Sequence, residues 1–478
     1  MSWQDRCAEY VRTEGLEMAC LGVLRAFGGR ADGPTPTLAQ LEVDPHPRGA
    51  RIVEVLDGEV DRDQAELFAR RFLACAELLQ RMGRGPARVL RIGLLTRIGE
   101  ILEAAPPRAV RVRACVDFYT SHGSLLHHAS PGLPGLPEIL GSCSWRRIEE
   151  GLDHVLVAAS TDLGPVHVNL LRVRDRPLGV VDLRGADGDF ATQVRARGAL
   201  AGVSGGFFLY SEPDIEAPFE RGEPVGLLAD STGLISPPVF RRATLDARDH
   251  RITTASLVGW ELLGHRVEAV NTLRVGPVVF NRAFGPLAPE GRVSVAIAHE
   301  QILEVTTAPC AIPLNGFVLS LPRGERVGEP VGELRWPDVR DQISGGPWLL
   351  RDGELVLDLL AEDFALDAPP VTFSRDETFD QNLLPRMAVG RCPDGTLIFA
   401  AIDGRNFERA PGMTLRGAAQ LLAALGCRDA MNLDGGSSKR MVVGGRVVDL
   451  ASTELVQAGT ETRTRPVHNG ILVLRAEP

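Results

Sequence analysis

The sequence predicts an α+β protein in two units: a large mixed-sheet domain over residues 146–478, preceded by a smaller, mainly helical α/β unit over residues 1–145. Three observations carry that expectation. The chain has 478 residues, beyond the roughly 100–200 of one ordinary domain. Helical spacing dominates the first part, and short β-type runs dominate the second. Between them Ser130-Pro131-Gly132-Leu133-Pro134-Gly135-Leu136-Pro137 interrupts any regular element, which puts the boundary near residue 145.

In the first unit, Phe68, Phe72, Cys75, Leu79 and Met82 recur at three- and four-residue spacing, so Asp61 to Met82 reads as an amphipathic helix capped by Asp61 or Asp63. A second helix is expected from about Val89 to Ala104, where Pro106-Pro107 stops it. Ala109 to Tyr119 alternates: Val110, Val112, Ala114 and Val116 take one side and Arg111, Arg113 and Cys115 the other, the pattern of a half-buried strand. His122, His127 and His128 have no acidic neighbour and read as a solvated loop rather than a metal site. The role of this unit is not legible from its residues.

Beyond Trp145 the chain passes into strand-like runs such as His154–Ala159 and Val166–Val173, punctuated by Gly, Pro and Asp. One late helix is expected over Leu415 to Leu425, with Thr414 as its N-cap and Gly426 closing it. No repeat of fixed period is present.

Composition removes several function classes. Hydrophobic residues at 44% and charged residues at 24% are ordinary for a globular protein. A net charge of −10 argues against a general polyanion binder, so no nucleic-acid partner is expected. There is no apolar run of about 18 residues, and the start at Met1 is not followed by an apolar signal core, so no membrane partner and a cytoplasmic location are expected. The eight cysteines, at 7, 20, 75, 115, 143, 310, 392 and 427, form no Cys-x-x-Cys pair and read as buried apolar thiols.

Four glycine-centred clusters stand out: Ser204-Gly205-Gly206-Phe207-Phe208, Ser344-Gly345-Gly346-Pro347, Ile402-Asp403-Gly404-Arg405 and Asn432-Leu433-Asp434-Gly435-Gly436-Ser437-Ser438. Paired glycines let the backbone approach a ligand closely, and successive N–H groups then make an anion-binding hollow. Any one cluster alone is more often a plain turn. Together with Arg386-Met387-Ala388-Val389-Gly390, Gly412-Met413-Thr414-Leu415 and Arg465-Pro466-Val467, they form seven elements in a fixed order.

That ordered set resembles the phosphodiester glycosidase family, which includes the enzyme that uncovers mannose 6-phosphate tags, over roughly residues 150 to 475. Three departures stand out. Ser204 replaces the usual Asn, Met387 replaces the usual Thr, and two glycines rather than three precede Ser437.

The resemblance implies cleavage of the bond between a sugar anomeric carbon and a phosphate oxygen. Phosphate leaves readily, so the need for a strong general acid is smaller than in ordinary glycoside hydrolysis. What the chemistry needs is positive charge on the phosphate and a carboxylate at the anomeric side. Asp434 is the first choice for the carboxylate and Asp403 the second. Arg386, Arg405 and Arg465 are the candidates for the phosphate, because the guanidinium fork binds two oxygens at once. Asn432, Gly435, Gly436, Ser437, Ser438, Ser204, Gly205, Gly206, Phe207, Gly345 and Gly346 are expected to line the substrate site. Neither serine sits in a Gly-x-Ser-x-Gly elbow, so they are read as donors to phosphate, and His468 is read as a core or rim residue.

The expected partner is a small sugar-phosphate or nucleotide-sugar substrate. Asp434 and Asp403 beside a phosphate would suit a divalent cation, but no ligand spacing demands one. Two further readings fit the same motifs: a catalytically silent sugar-phosphate or nucleotide-binding regulatory module, and glycosyl transfer to an acceptor other than water.

Overall fold

The computed structural model describes residues 50–60, 110–119, 136–141, 143–161, 164–209, 222–298, 301–324, 334–364, 384–404, 410, 412–451 and 466–476. Of the N-terminal unit it describes two strands, Ala50–Val60 and Val110–Tyr119, paired antiparallel, and the short helix Leu136–Gly141. The second is the alternating run expected from the sequence. The helices expected over 61–82 and 89–104, and the histidines at 122, 127 and 128, lie outside the described residues.

The rest is mostly sheet, with few helices. At its centre is an eight-stranded sheet in the order 354–355, 348–351, 429–433, 386–391, 397–402, 164–173, 152–161, 146–149. Its long strands are apolar on both faces, as a sheet covered on both sides requires, and the period of two decides what each face meets. Leu171, Val173, Met387, Val389, Phe399, Ala401, Met431 and Leu433 point into one core. The residues between them, Val168, Leu170, Ala388, Ile398, Ala400 and Ala430, point into another with Leu415, Ala418, Leu421 and Leu422. The latter four come from the expected late helix, Leu415–Ala424, in which Thr414 Oγ accepts the Gly417 N–H at 2.9 Å. Gly426 follows the C-cap with φ +91°, where a residue without Cβ pays no steric penalty.

Facing the first core is a five-stranded sheet in the order 446–447, 441–443, 201–204, 469–473, 178–182, contributing Val203, Met441 and Ile471. Two further five-stranded sheets are built from residues between 228 and 344.

The structure corrects the expectation at three points. The sheets are almost wholly antiparallel rather than mixed: Ala269–Val270 with Val278–Val279 is the parallel pair among the described strands. Short connections between sequence neighbours favour antiparallel pairing, since a parallel neighbour needs a long crossover. Two short helices, Leu136–Gly141 and Phe190–Ala196, join the single one expected. The first uses part of the Pro-rich break, with Pro137 in its opening turn, where the missing N–H would have had no partner. It buries Ile139 with Val155 and Leu170 of the central sheet.

Candidate active site

Three of the four glycine clusters, scattered over some 230 positions of sequence, meet at the ends of these strands. Asp434 N–H donates to Gly205 O at 2.9 Å, Gly346 N–H to Asn432 O at 2.7 Å, and Asn432 N–H to Pro347 O at 3.0 Å. The Asn432 amide donates a further bond from Nδ2 to Gly346 O at 2.9 Å. Gly436 N–H donates to Pro385 O at 3.0 Å, which ties the last cluster to the residue before Arg386.

Two of the glycines are demanded by this crowding. A Cβ on Gly206 would collide with the Ser344 carbonyl oxygen, and one on Gly435 would stand 2.5 Å from Pro385 O. In both cases the obstacle is backbone that cannot swing aside.

Within this knot Asp434 is partly exposed, whereas Asn432, Ser437 and Ser438 are buried. The Asn432 Oδ1 and the two serine Oγ atoms make no hydrogen bond among the described residues, although buried polar atoms are normally satisfied. Arg386 is buried on the helix-facing side of its strand, and its Nε donates to Met413 O at 3.0 Å. Arg405 and Arg465 lie outside the described residues.

Other expected lining residues have structural partners. Ser204 Oγ accepts the Arg440 N–H at 3.0 Å. Gly206 N–H donates to Asn469 Oδ1 at 2.7 Å. Phe207 is a core side chain, edge-on to Phe364 with ring centroids 5.8 Å apart. Phe208 packs edge-on against His468 at 4.4 Å.

Asp403 sits in a buried chain of charges that sequence reasoning did not find. One oxygen takes the Lys439 ammonium at 2.5 Å and the Leu450 N–H at 3.1 Å. The other is hydrogen-bonded to His167 Nδ1, whose side chain is 16% exposed while that of Asp403 is fully covered. Lys439 also binds Asp449 at 2.6 Å, and Asp449 in turn holds Arg440 at 3.0 Å and the Met441 N–H at 2.7 Å. The order is His167, Asp403, Lys439, Asp449, Arg440. Adjacent basic residues directly after Ser438 were the available signal. Their place at the start of a strand that buries Met441 and Val442 implies that a charged pair precedes a core run and must be neutralised there.

Glu362 was missed too. It lies within the Gly345-Gly346-Pro347 neighbourhood, accepting Trp348 N–H at 2.5 Å and Ala243 N–H at 2.7 Å. Burial raises its pKa above the usual carboxylate range despite those two donors.

An ammonium and an imidazole already occupy the Asp403 carboxylate, and among the described residues no three His, Cys, Asp or Glu side chains cluster as metal ligands. A cavity of about 420 Å³ opens beside Arg440, walled by Leu183, Phe190, Val447, Val467 and His468; no member of the Asn432–Ser438 segment lines it.

A largely antiparallel sheet assembly that gathers glycine loops around one half-open carboxylate is the class of protein defined here. Residues 314–474 match the phosphodiester glycosidase family. It is 27% identical over 206 residues to mouse N-acetylglucosamine-1-phosphodiester alpha-N-acetylglucosaminidase, covering 36% of this chain and 39% of the mouse protein. Over 126 residues it is 30% identical to the SPbeta prophage-derived uncharacterized protein YomE of Bacillus subtilis, covering 26% of this chain and 17% of that one. The chain thus spans well under half the length of these curated relatives. Among solved structures, the zebrafish N-acetylglucosamine-1-phosphodiester alpha-N-acetylglucosaminidase catalytic domain, auto-inhibited by its pro-peptide, is 16% identical with a TM-score of 0.36, covering 70% of this chain and 87% of that one. A hypothetical protein from Synechocystis is 19% identical with a TM-score of 0.43, covering 77% of this chain and 66% of that one.

Proposed function

We propose that this protein hydrolyses the bond between a sugar anomeric carbon and a phosphate oxygen, in a sugar phosphodiester or a nucleotide-sugar-like substrate. The observation that carries the reading is the packing of the Gly205-Gly206 and Gly345-Gly346 clusters against the segment Asn432–Ser438, with the Gly205 and Pro385 carbonyls holding its backbone in place.

In this reading Asp434, at the half-open position, attacks the anomeric carbon or draws a proton from the attacking water. The phosphate rests against the hydroxyls of Ser437 and Ser438, the backbone around Gly435 and the guanidiniums of Arg386, Arg405 and Arg465. Gly436 contributes less as a donor, because its N–H is already given to Pro385 O. Asp403 is assigned a positioning role. Both of its oxygens are engaged, and displacing Lys439 to free one would break a buried ion pair. The mouse relative, an N-acetylglucosamine-1-phosphodiester alpha-N-acetylglucosaminidase by name, makes an N-acetylglucosamine 1-phosphodiester the first substrate to try.

The test is turnover of a panel of sugar 1-phosphodiesters and nucleotide sugars by the wild type and by Asp434→Asn. The expected result is release of a phosphomonoester by the wild type and a loss of kcat of at least about 100-fold in the variant, the scale for a positioned acid or base. Absence of turnover throughout the panel, or equal rates for the two proteins, overturns the reading. The replacement of Asn by Ser204 and the shortened glycine run favour one rival, a silent binding module. Calorimetry separates them: saturable binding of an uncleaved panel member supports the rival.

A further inference from the structure

Outside the glycine knot, two thiols face one another at the opposite end of the same strands. Cys392 begins the turn after the strand Arg386–Arg391, and Cys427 follows the helix Leu415–Ala424 and leads into the strand Asp429–Leu433. Their sulfurs are 3.8 Å apart. Arg391 pairs with Asp429 across the sheet, and Arg428 N–H donates to Arg391 O at 2.9 Å, so the backbones that carry the two thiols are already locked side by side.

The two cysteines differ in access. Cys427 is 3% exposed, while Cys392, just past the end of a central strand, is half-buried. Gly390 makes room for the arrangement, since a Cβ there would lie 2.6 Å from Cys427 Sγ. No disulfide joins the described cysteines, so the pair is a dithiol. A disulfide has its sulfurs about 2.05 Å apart, so closing this one asks the two sulfurs to approach by a little under 2 Å, within reach of side-chain rotation.

We propose that Cys392 and Cys427 are a redox modification site, in which a peroxide oxidises Cys392 and Cys427 resolves the product as a reversible disulfide. The Cys392 thiolate attacks one peroxide oxygen, the O–O bond breaks, and hydroxide leaves, giving a sulfenic acid. Cys427 then attacks that sulfur, the S–O bond breaks, and its proton goes to the departing hydroxide as water. Sulfur is oxidised by two electrons overall and hydrogen peroxide is reduced to water.

The chemistry around the pair suits this order. The thiol–thiol hydrogen bond with Cys427 holds the Cys392 pKa below the ordinary thiol value, helped by the Arg172 and Arg391 guanidiniums and opposed by burial and Asp394. Cys427 is pushed up by that same bond and by burial, so it stays a thiol until Cys392 has reacted. A thiol with a lowered pKa, more exposed than the resolving partner beside it, is the arrangement that directs oxidation to a disulfide rather than onward to sulfinic acid. Cys143, also half-buried but with its pKa raised by burial, is an internal reference.

The test is peptide mapping by mass spectrometry of the full chain after graded hydrogen peroxide and alkylation. The expected result is a Cys392–Cys427 cross-linked peptide, about 2 Da lighter than its two parts, formed at peroxide doses that leave Cys143 alkylatable and reversed by dithiothreitol. The melting temperature should rise by roughly 5 °C in the oxidised form, the scale of one cross-link in a chain of this size. In Cys427→Ala, Cys392 should accumulate as a sulfenic acid trapped by dimedone. The proposal is overturned if Cys392 is oxidised no faster than Cys143. It is equally overturned if Cys392 passes to sulfinic acid in the wild type without cross-linking, or if Cys427→Ala leaves Cys392 untrapped. None of these readings depends on turnover of any sugar substrate.

Discussion

Replacing Lys439 by Met tests the buried charge chain directly. The ammonium is fully covered and lies 2.5 Å from Asp403 and 2.6 Å from Asp449. At an effective dielectric constant near 20, each contact carries about 6 kcal/mol of Coulomb attraction. Most of that offsets the cost of taking three charges out of water, so the gross figure is not the loss to expect. Removing one partner of a buried pair typically costs about 3–5 kcal/mol. Here the lower end applies, because Asp403 keeps His167 and the Leu450 N–H while Asp449 keeps Arg440 and the Met441 N–H. With m-values of about 3 kcal/mol per molar urea for a large domain, a loss near 3 kcal/mol moves the urea midpoint down by roughly 1 M. Urea titrations of both proteins check this. An unchanged midpoint would refute the buried-network reasoning.

Three further outcomes follow. Burial raises the folded-state Glu362 pKa above its unfolded value, so the folded form holds that proton longer and this residue weakens the fold as pH climbs above about 4.3, its ordinary value. Glu362→Gln should flatten that part of the stability–pH curve measured by thermal melts. Thr414→Ala removes the hydroxyl that accepts Gly417 N–H and should cost about 1 kcal/mol by chemical denaturation, with the rest of the helix intact. Gly206→Ala places a Cβ against the Ser344 carbonyl and must push apart the loops of two glycine clusters. The expected result is loss of soluble protein or a stability loss of more than about 2 kcal/mol, well above the few tenths ordinary for a surface glycine.

How much was legible in the sequence depended on the range of the interaction concerned. The Val110–Tyr119 strand, the runs within 152–173 and the Leu415–Ala424 helix were readable because period and caps are local signals carried by adjacent residues. The antiparallel order was not, because a run such as Arg386–Arg391 is equally apolar whichever neighbour it receives. Phe207 looked like a site residue by its place in a motif, yet its side chain packs on Phe364 in the core. The backbone and the side chain of one residue can serve different ends, and sequence does not separate them. His167 stands 236 positions from Asp403, so no spacing rule connects them.

Sequence alone determined that glycine, carboxylate and arginine recur in a family-specific order, because those residue types answer to backbone approach and phosphate charge. It also placed the Val110–Tyr119 strand, the runs within 152–173 and the Leu415–Ala424 helix. Only the tertiary structure decided that three of the four clusters are one place, that Asp403 is held between an imidazole and an ammonium while Asp434 stays half-open, and that Cys392 meets Cys427. The reason is physical: burial and ion pairing are properties of the space between distant segments, and that space exists only once the sheets have closed over it.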